Sequence, residues 1–115
     1  MQCINEAHLL GIVGRVEKKQ VGDKVFARLS MVTERAYVDG QGDTMVDVTW
    51  HNVTVPQDAW ENADDIDTVG RRTVIEIRGF IRAVRYAADD GSQRIMTEIV
   101  AKSAKIVKDT ENGKK

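Results

Sequence analysis

The chain has 115 residues, 42% of them apolar, which is enough for one modest core and too little for two. Its single cysteine, Cys3, excludes an intrachain disulfide and a cysteine-based metal cluster and favours a reducing compartment. The formal net charge is -1, and no apolar run approaches the roughly 18 residues that cross a bilayer. We therefore expect one cytoplasmic domain with no membrane segment.

The first two predicted strands set the pattern of an all-β domain, because apolar residues alternate with polar ones or form short β-branched runs. The first strand is predicted over residues 8–18, with glycines that permit a bulge. Its expected core residues are Leu9, Leu10, Ile12, Val13 and Val16. The second is predicted over residues 24–33, with one core face and one wet face. The core face is expected to hold Val25, Ala27, Leu29 and Met31, and the wet face Phe26, Arg28 and Ser30.

The remaining elements complete a five-stranded barrel in our reading. The third strand is predicted over residues 44–55 and the fourth and fifth over 72–86 and 93–100, joined by an Asp-Asp-Gly turn. A helix of at most three turns is predicted over residues 57–68, with Ala59, Trp60 and Ala63 facing the core. This order is that of the oligonucleotide-binding (OB) barrel, a five-stranded Greek-key fold with a helix between strands three and four, although an SH3-like barrel or an irregular β-sandwich has a similar order. The domain should cover residues 1–108, and residues 109–115 should form a disordered tail.

Strand four carries the clearest candidate binding residues. At a two-residue period, one face holds Arg78, Phe80, Arg82, Val84 and Tyr86. The other face, expected in the core, holds Ile77, Gly79, Ile81 and Ala83. Guanidinium groups neutralise phosphates and flat rings stack on bases, so the first face is typical of single-strand binding. The alternative is that Phe80 packs under a loop and the arginines are ordinary solvated residues.

Other candidates are more isolated. Trp50 shares a strand face with two valines, so the sequence leaves open whether it is core or a stacking platform. Tyr37 beside Arg35, and Arg85 in the arginine-rich segment, are further candidate contacts. The two histidines show no metal-binding spacing, and no nucleophile motif or phosphate loop is present. We therefore expect a binding protein with no cofactor rather than an enzyme.

Several motifs resemble the bacterial single-stranded-DNA-binding protein family. Leu10-Gly-Ile-Val-Gly14 is similar to its glycine-bearing first strand, and Val48-Thr-Trp-His-Asn-Val53 to its Thr-Glu-Trp-His-Arg-Val motif. Residues 75–82, IEIRGFIR, resemble its Ile-Glu-Gly-x-Leu-Arg strand with two extra residues, and residues 90–100 resemble the Asp-x-x-Gly-x-x-Arg-Tyr-x-Thr-Glu-Val run that follows. The resemblance implies an OB barrel that binds single-stranded DNA with little sequence preference during replication, recombination or repair.

The resemblance also assigns site residues, and the match is partial. Trp50 coincides with one of four stacking positions, Tyr86 stands at a second, and Tyr37 lies within a residue of a third. At the fourth this chain has Pro56, and Arg82 falls on a basic position. These departures predict weaker binding or a shorter footprint than in a typical member.

The resemblance further bears on partners. It implies a homo-oligomer, dimer or tetramer, paired through the first strand. We expect no acidic recruitment tail after residue 108, and in this respect the sequence also resembles primosomal replication protein N, a relative of the family. The alternative function is therefore a primosomal or other protein-interaction module with weak or lost DNA binding.

Overall fold

The computed structural model describes residues 1–107 and forms one closed barrel of five strands in the order β1-β2-β3-β5-β4. The strands are β1 (Ala7–Val21), β2 (Lys24–Val38), β3 (Thr44–Pro56), β4 (Val74–Ala87) and β5 (Gln93–Ile106). All neighbours are antiparallel except β3 and β5. The predicted all-β OB barrel is thus confirmed, whereas the predicted tail at 109–115 lies outside the described residues. No helix within residues 1–107 is long and apolar enough to cross a membrane.

The core lies inside the barrel and follows the alternation of the strands. On β2, Ala27, Leu29 and Met31 are buried, as predicted. They are joined by Val53 and Val55 of β3. Further buried side chains from the other elements are Val13, Trp60, Ile66, Val69, Ile75, Ile77, Ala101 and Ala104. Because successive strand residues point to opposite sides, every second residue of β2 and β3 faces outward.

The first strand departs from prediction at two core positions. Leu10 and Ile12 are 59% and 47% exposed, because they lie on the outward side of a strand whose inward residue is Val13. The register with β2 shifts between Val13 and Arg15, at Gly14. Before the bulge at Gly14 the odd-numbered residues of β1 face the core, and after it the even-numbered residues do. Val16 therefore packs against the core.

The prediction of one continuous helix over residues 57–68 is wrong. The segment instead forms a 3-10 turn over Gln57–Ala59 and a short helix, α1 (Asp65–Thr68). Ala59 and Trp60 are buried as expected, but Ala63 is exposed. Trp60 adopts an extended conformation and bridges to Ala104 of β5, which interrupts any helix at that point.

Strands β4 and β5 extend beyond the barrel as a hairpin, and this explains a second set of errors. Ile77 is buried as predicted, but Ile81 and Ala83 are exposed. The last β4 residue paired with β1 is Gly79, opposite Ala7. A Cβ at Gly79 would stand 1.9 Å from the carbonyl oxygen of Val100, so only glycine permits this close approach of the backbones. Beyond it, Ile81, Ala83 and Arg85 of β4 are exposed.

Candidate nucleic-acid interface

The outward residues of four strands form one continuous surface, which we call the outer groove. Its middle consists of Arg28, Thr54 and Glu98, which line both of the cavities found there. The smaller cavity, about 200 Å³, extends towards Arg15 and Glu17 of β1 and towards Ser30, Asn52 and Met96. The larger, about 970 Å³, extends towards Phe26, Pro56, Arg82, Val84 and Val100. The barrel therefore presents an open groove that runs across β2, β3, β5 and β4.

Trp50 lies on the outward side of β3, two residues before Asn52. Its side chain is 60% exposed, so the question left open by the sequence is answered in favour of a surface position rather than the core. It stands opposite Val32 of β2. Its ring lies over the backbone of Gly14, where an added Cβ would come within 2.7 Å of it. The β1 bulge thus holds a flat, exposed ring beside the groove.

The stripe predicted on β4 divides into two parts. Arg82 and Val84 line the larger cavity, and Tyr86, 44% exposed, continues the same face towards the end of the strand. Arg78 and Phe80 instead line a separate cavity beside β1, together with His8 and Lys102. These residues alternate along one face of β4, but they line two different cavities.

Arg82 does not present a free cation. Its Nε donates a hydrogen bond to Oε2 of Glu98 at 3.0 Å, and its terminal amino group contacts the same oxygen. The other oxygen of Glu98 accepts a hydrogen bond from Thr54 Oγ1 at 2.8 Å. Glu98 is only 4% exposed. Since a buried carboxylate requires partners, Arg82 serves first to neutralise Glu98.

Two other arginines stand in the groove, and sequence reasoning did not select them. Arg28 and Arg15 are exposed and line the smaller cavity. Within residues 1–107, neither forms an ion pair with a carboxylate, and Glu17, which stands opposite Arg28 in the register of β1 and β2, lines the same cavity together with Glu98. The signal for Arg28 was present in the sequence, since it alternates with the core residues of β2. Arg15 follows the bulge, whose position shifts the strand's faces.

Three predicted site residues lie away from the groove. On β2 the even-numbered residues face outward, and Val32, which pairs with Trp50, is one of them. Arg35 and Tyr37 are odd-numbered, so they lie on the opposite face of β2. Arg35 bonds to Asp47 at 2.9 Å and lies 5.2 Å from the centre of the Tyr37 ring. Arg85 is on the β4 face opposite to that of Arg82 and Tyr86. The groove therefore does not bring these three together with Trp50.

Each of the two histidines forms a hydrogen bond with another side chain of the barrel. Burial lowers the pKa of His51, whose Nε2 lies 2.8 Å from Thr33 Oγ1. His8 Nε2 lies 2.6 Å from Glu76, and this hydrogen bond lowers the pKa of the Glu76 carboxyl, as do the nearby positive charges. Among the described residues, no group of three His, Cys, Asp or Glu side chains is placed to hold a metal ion.

Comparisons with known proteins agree with this fold. The structure superposes on the Plasmodium falciparum SSB in complex with ssDNA with a TM-score of 0.81 and 18% identity, covering 94% of this chain and 98% of that one. A deletion mutant of the single-stranded DNA binding protein from Thermus aquaticus matches with a TM-score of 0.76 and 16% identity, over 91% of this chain and 51% of that one. At these identities the two structures show a shared fold.

A family model extends the agreement to the sequence. The model of the Single-strand binding protein family matches residues 4–107, which is nearly the whole chain. The match includes β1 to β5 and every residue of the outer groove. The chain therefore belongs to the Single-strand binding protein family.

Proposed function

We propose that this family member, which binds single-stranded DNA, holds the strand along the outer groove, with Trp50 and Tyr86 stacking on bases and Arg28 and Arg15 contacting phosphates. Stacking contributes about 1–3 kcal/mol per base and does not depend on base identity, which agrees with binding of little sequence preference. Phosphate contacts add a salt-dependent attraction. Of the rings expected from the sequence, this assignment keeps Trp50 and Tyr86. It assigns the phosphate contacts to Arg28 and Arg15, which were not among the arginines expected from the sequence.

The observation that carries the proposal is the groove itself: an exposed indole and two arginines without carboxylate partners among residues 1–107, all on one outward face. An exposed ring on the same face as two exposed arginines fits a ligand with bases and phosphates. The net charge of -1 fits this arrangement, because several acids and arginines neutralise one another elsewhere.

Binding rather than catalysis is the proposed mode of action, since the family is defined by strand binding. The chain is proposed to act in the cytoplasm, where its exposed Cys3 would remain reduced. Protection of exposed strands during replication, recombination or repair is the corresponding role. It needs no cofactor.

We further propose a homo-oligomer, dimer or tetramer. The barrel is closed, so an open strand edge does not support it. The support comes instead from Leu10 and Ile12, which are large, apolar and exposed on β1. Light scattering at micromolar concentration should give a multiple of 12.8 kDa, and a mass near 12.8 kDa would contradict the proposal.

A titration of labelled oligo-dT at several salt concentrations tests the function. We expect binding that weakens with salt and a loss of about 1–3 kcal/mol in the Trp50→Leu and Tyr86→Leu variants. A duplex of equal length is the control and should bind more weakly. Absence of binding at low salt would favour the alternative, a protein-interaction module.

A further inference from the structure

The larger cavity of the outer groove contains an aromatic ring, that of Phe26. Phe26, at the start of β2, stands directly opposite Pro56 at the end of β3. Both are half-buried and line the cavity together with Val84 and Val100. The ring and the proline therefore form an apolar floor that remains accessible from the groove.

The size and charge of this cavity indicate what it would take. Its volume is about 970 Å³, and its rim carries three cations and three carboxylates. The cations are Lys24, Arg28 and Arg82, and the carboxylates Asp23, Asp58 and Glu98. Glu98 already neutralises Arg82, and the remaining rim charges balance one another. An apolar floor with an aromatic ring suits a flat and uncharged group.

We propose that Phe26 and Pro56 form a further base-binding subsite besides those of Trp50 and Tyr86, in which Phe26 stacks on an unpaired nucleobase of the bound strand. Arg28 stands between this cavity and the smaller one. It is thus placed to hold the phosphate that precedes or follows the base. The inference rests on the proposed function and extends it, because it assigns a ring that the β4 stripe and Trp50 do not include.

The subsite is distinct from the Trp50 platform. Phe26 and Val32, the residue opposite Trp50, are six positions apart on β2. At about 3.3 Å per residue this is roughly 20 Å along the strand. A stacked strand rises about 3.4 Å per nucleotide, so at most about six nucleotides separate the two rings. One bound strand would therefore occupy both positions.

The Phe26→Leu variant tests the proposal, with Phe26→Tyr as its matched control. Leucine keeps an apolar side chain on the cavity floor but has no ring, whereas tyrosine keeps the ring. We expect Phe26→Leu to bind oligo-dT about 5- to 150-fold more weakly, with an unchanged salt slope, and Phe26→Tyr to bind within about twofold of the unaltered protein. Thermal unfolding should confirm that both variants fold. Equal affinity of the leucine variant and the unaltered protein would overturn the subsite.

Comparison of the single variants with the double variant Phe26→Leu, Trp50→Leu distinguishes failure of the Phe26 subsite from failure of the proposed function. Because the rings are far apart, the losses in Phe26→Leu and Trp50→Leu should add in free energy. If the unaltered protein does not bind oligo-dT, the proposed function fails. If it binds and Trp50→Leu weakens it while Phe26→Leu does not, only the subsite fails. Ultraviolet crosslinking to a 5-bromodeoxyuridine oligonucleotide should attach to the peptide that contains Phe26, and absence of that adduct would also count against the subsite.

Discussion

At the scale of single residues, the contacts of Arg82 decide its role. Its position on β4 is the one expected from the sequence, but its guanidinium is bound to buried Glu98. A cation already neutralised by the protein releases few counterions from DNA. Arg82 is consequently a residue that shapes the groove wall more than one that attracts phosphate.

Replacing Arg82 should therefore affect stability more than salt dependence. Arg82→Ala leaves Glu98 without its cation, at a cost of about 1–3 kcal/mol in the free energy of unfolding. The slope of log K against log salt for oligo-dT should change little. Urea unfolding and a salt series measure the two effects, and Arg82→Lys is the control that keeps the charge. A normal stability together with a slope shallower by about 0.7 would show that Arg82 contacts phosphate instead.

His51 predicts a dependence of stability on pH. Burial lowers its pKa in the folded protein below the ordinary value of about 6.5. The unfolded chain then binds the proton more readily, so stability falls as the pH decreases through about 6.5 and stops falling below the folded pKa. Between pH 7.5 and 5.5, the melting temperature of His51→Gln should fall less than that of the unaltered protein. Equal falls would contradict this, since every other titrating group is common to both proteins.

At the scale of elements, the sequence predicted the strands better than their faces. Alternation on β2 identified its core residues correctly because that strand is regular. On β1 the glycines indicated a bulge without locating it, so Leu10 and Ile12 were misplaced. The hairpin of β4 and β5 leaves the barrel, and sequence patterns do not show where a core ends. Phe26 was placed on the wet face, but its position opposite Pro56 depends on the register between strands.

The bulge at Gly14 gives a prediction about the Trp50 platform. A Cβ at this position would lie 2.7 Å from the indole, at the outer end of a side chain that is free to move. Gly14→Ala should therefore displace the ring while the barrel remains folded. We expect a shifted Trp50 emission maximum, weaker oligo-dT binding and a nearly unchanged melting temperature. Gly40→Ala is the control, since an added Cβ there meets nothing within 4 Å. Unchanged emission and affinity in Gly14→Ala would show that the ring's place over the bulge does not matter.

At the scale of the whole molecule, the closed barrel turns scattered residues into one surface. Trp50, Arg28 and Tyr86 come from three strands, and the pairings of β2 with β3, of β3 with β5 and of β5 with β4 bring them to the same side. The family motifs predicted the fold, whereas the exposure of Trp50 became evident only from the structure. The cations were not predictable in the same way, because whether an arginine is free depends on carboxylates distant in the chain.

The central claim is that single-stranded DNA lies in the outer groove, and one comparison of two arginines tests it most directly. Arg28 lies in the groove and Arg85 on the opposite face of β4. The affinity for oligo-dT should be measured over a range of salt concentrations for Arg28→Ala and Arg85→Ala. We predict a slope shallower by about 0.7 for Arg28→Ala and an unchanged slope for Arg85→Ala. A shallower slope for Arg85→Ala alone would place the strand on the other face and contradict the account.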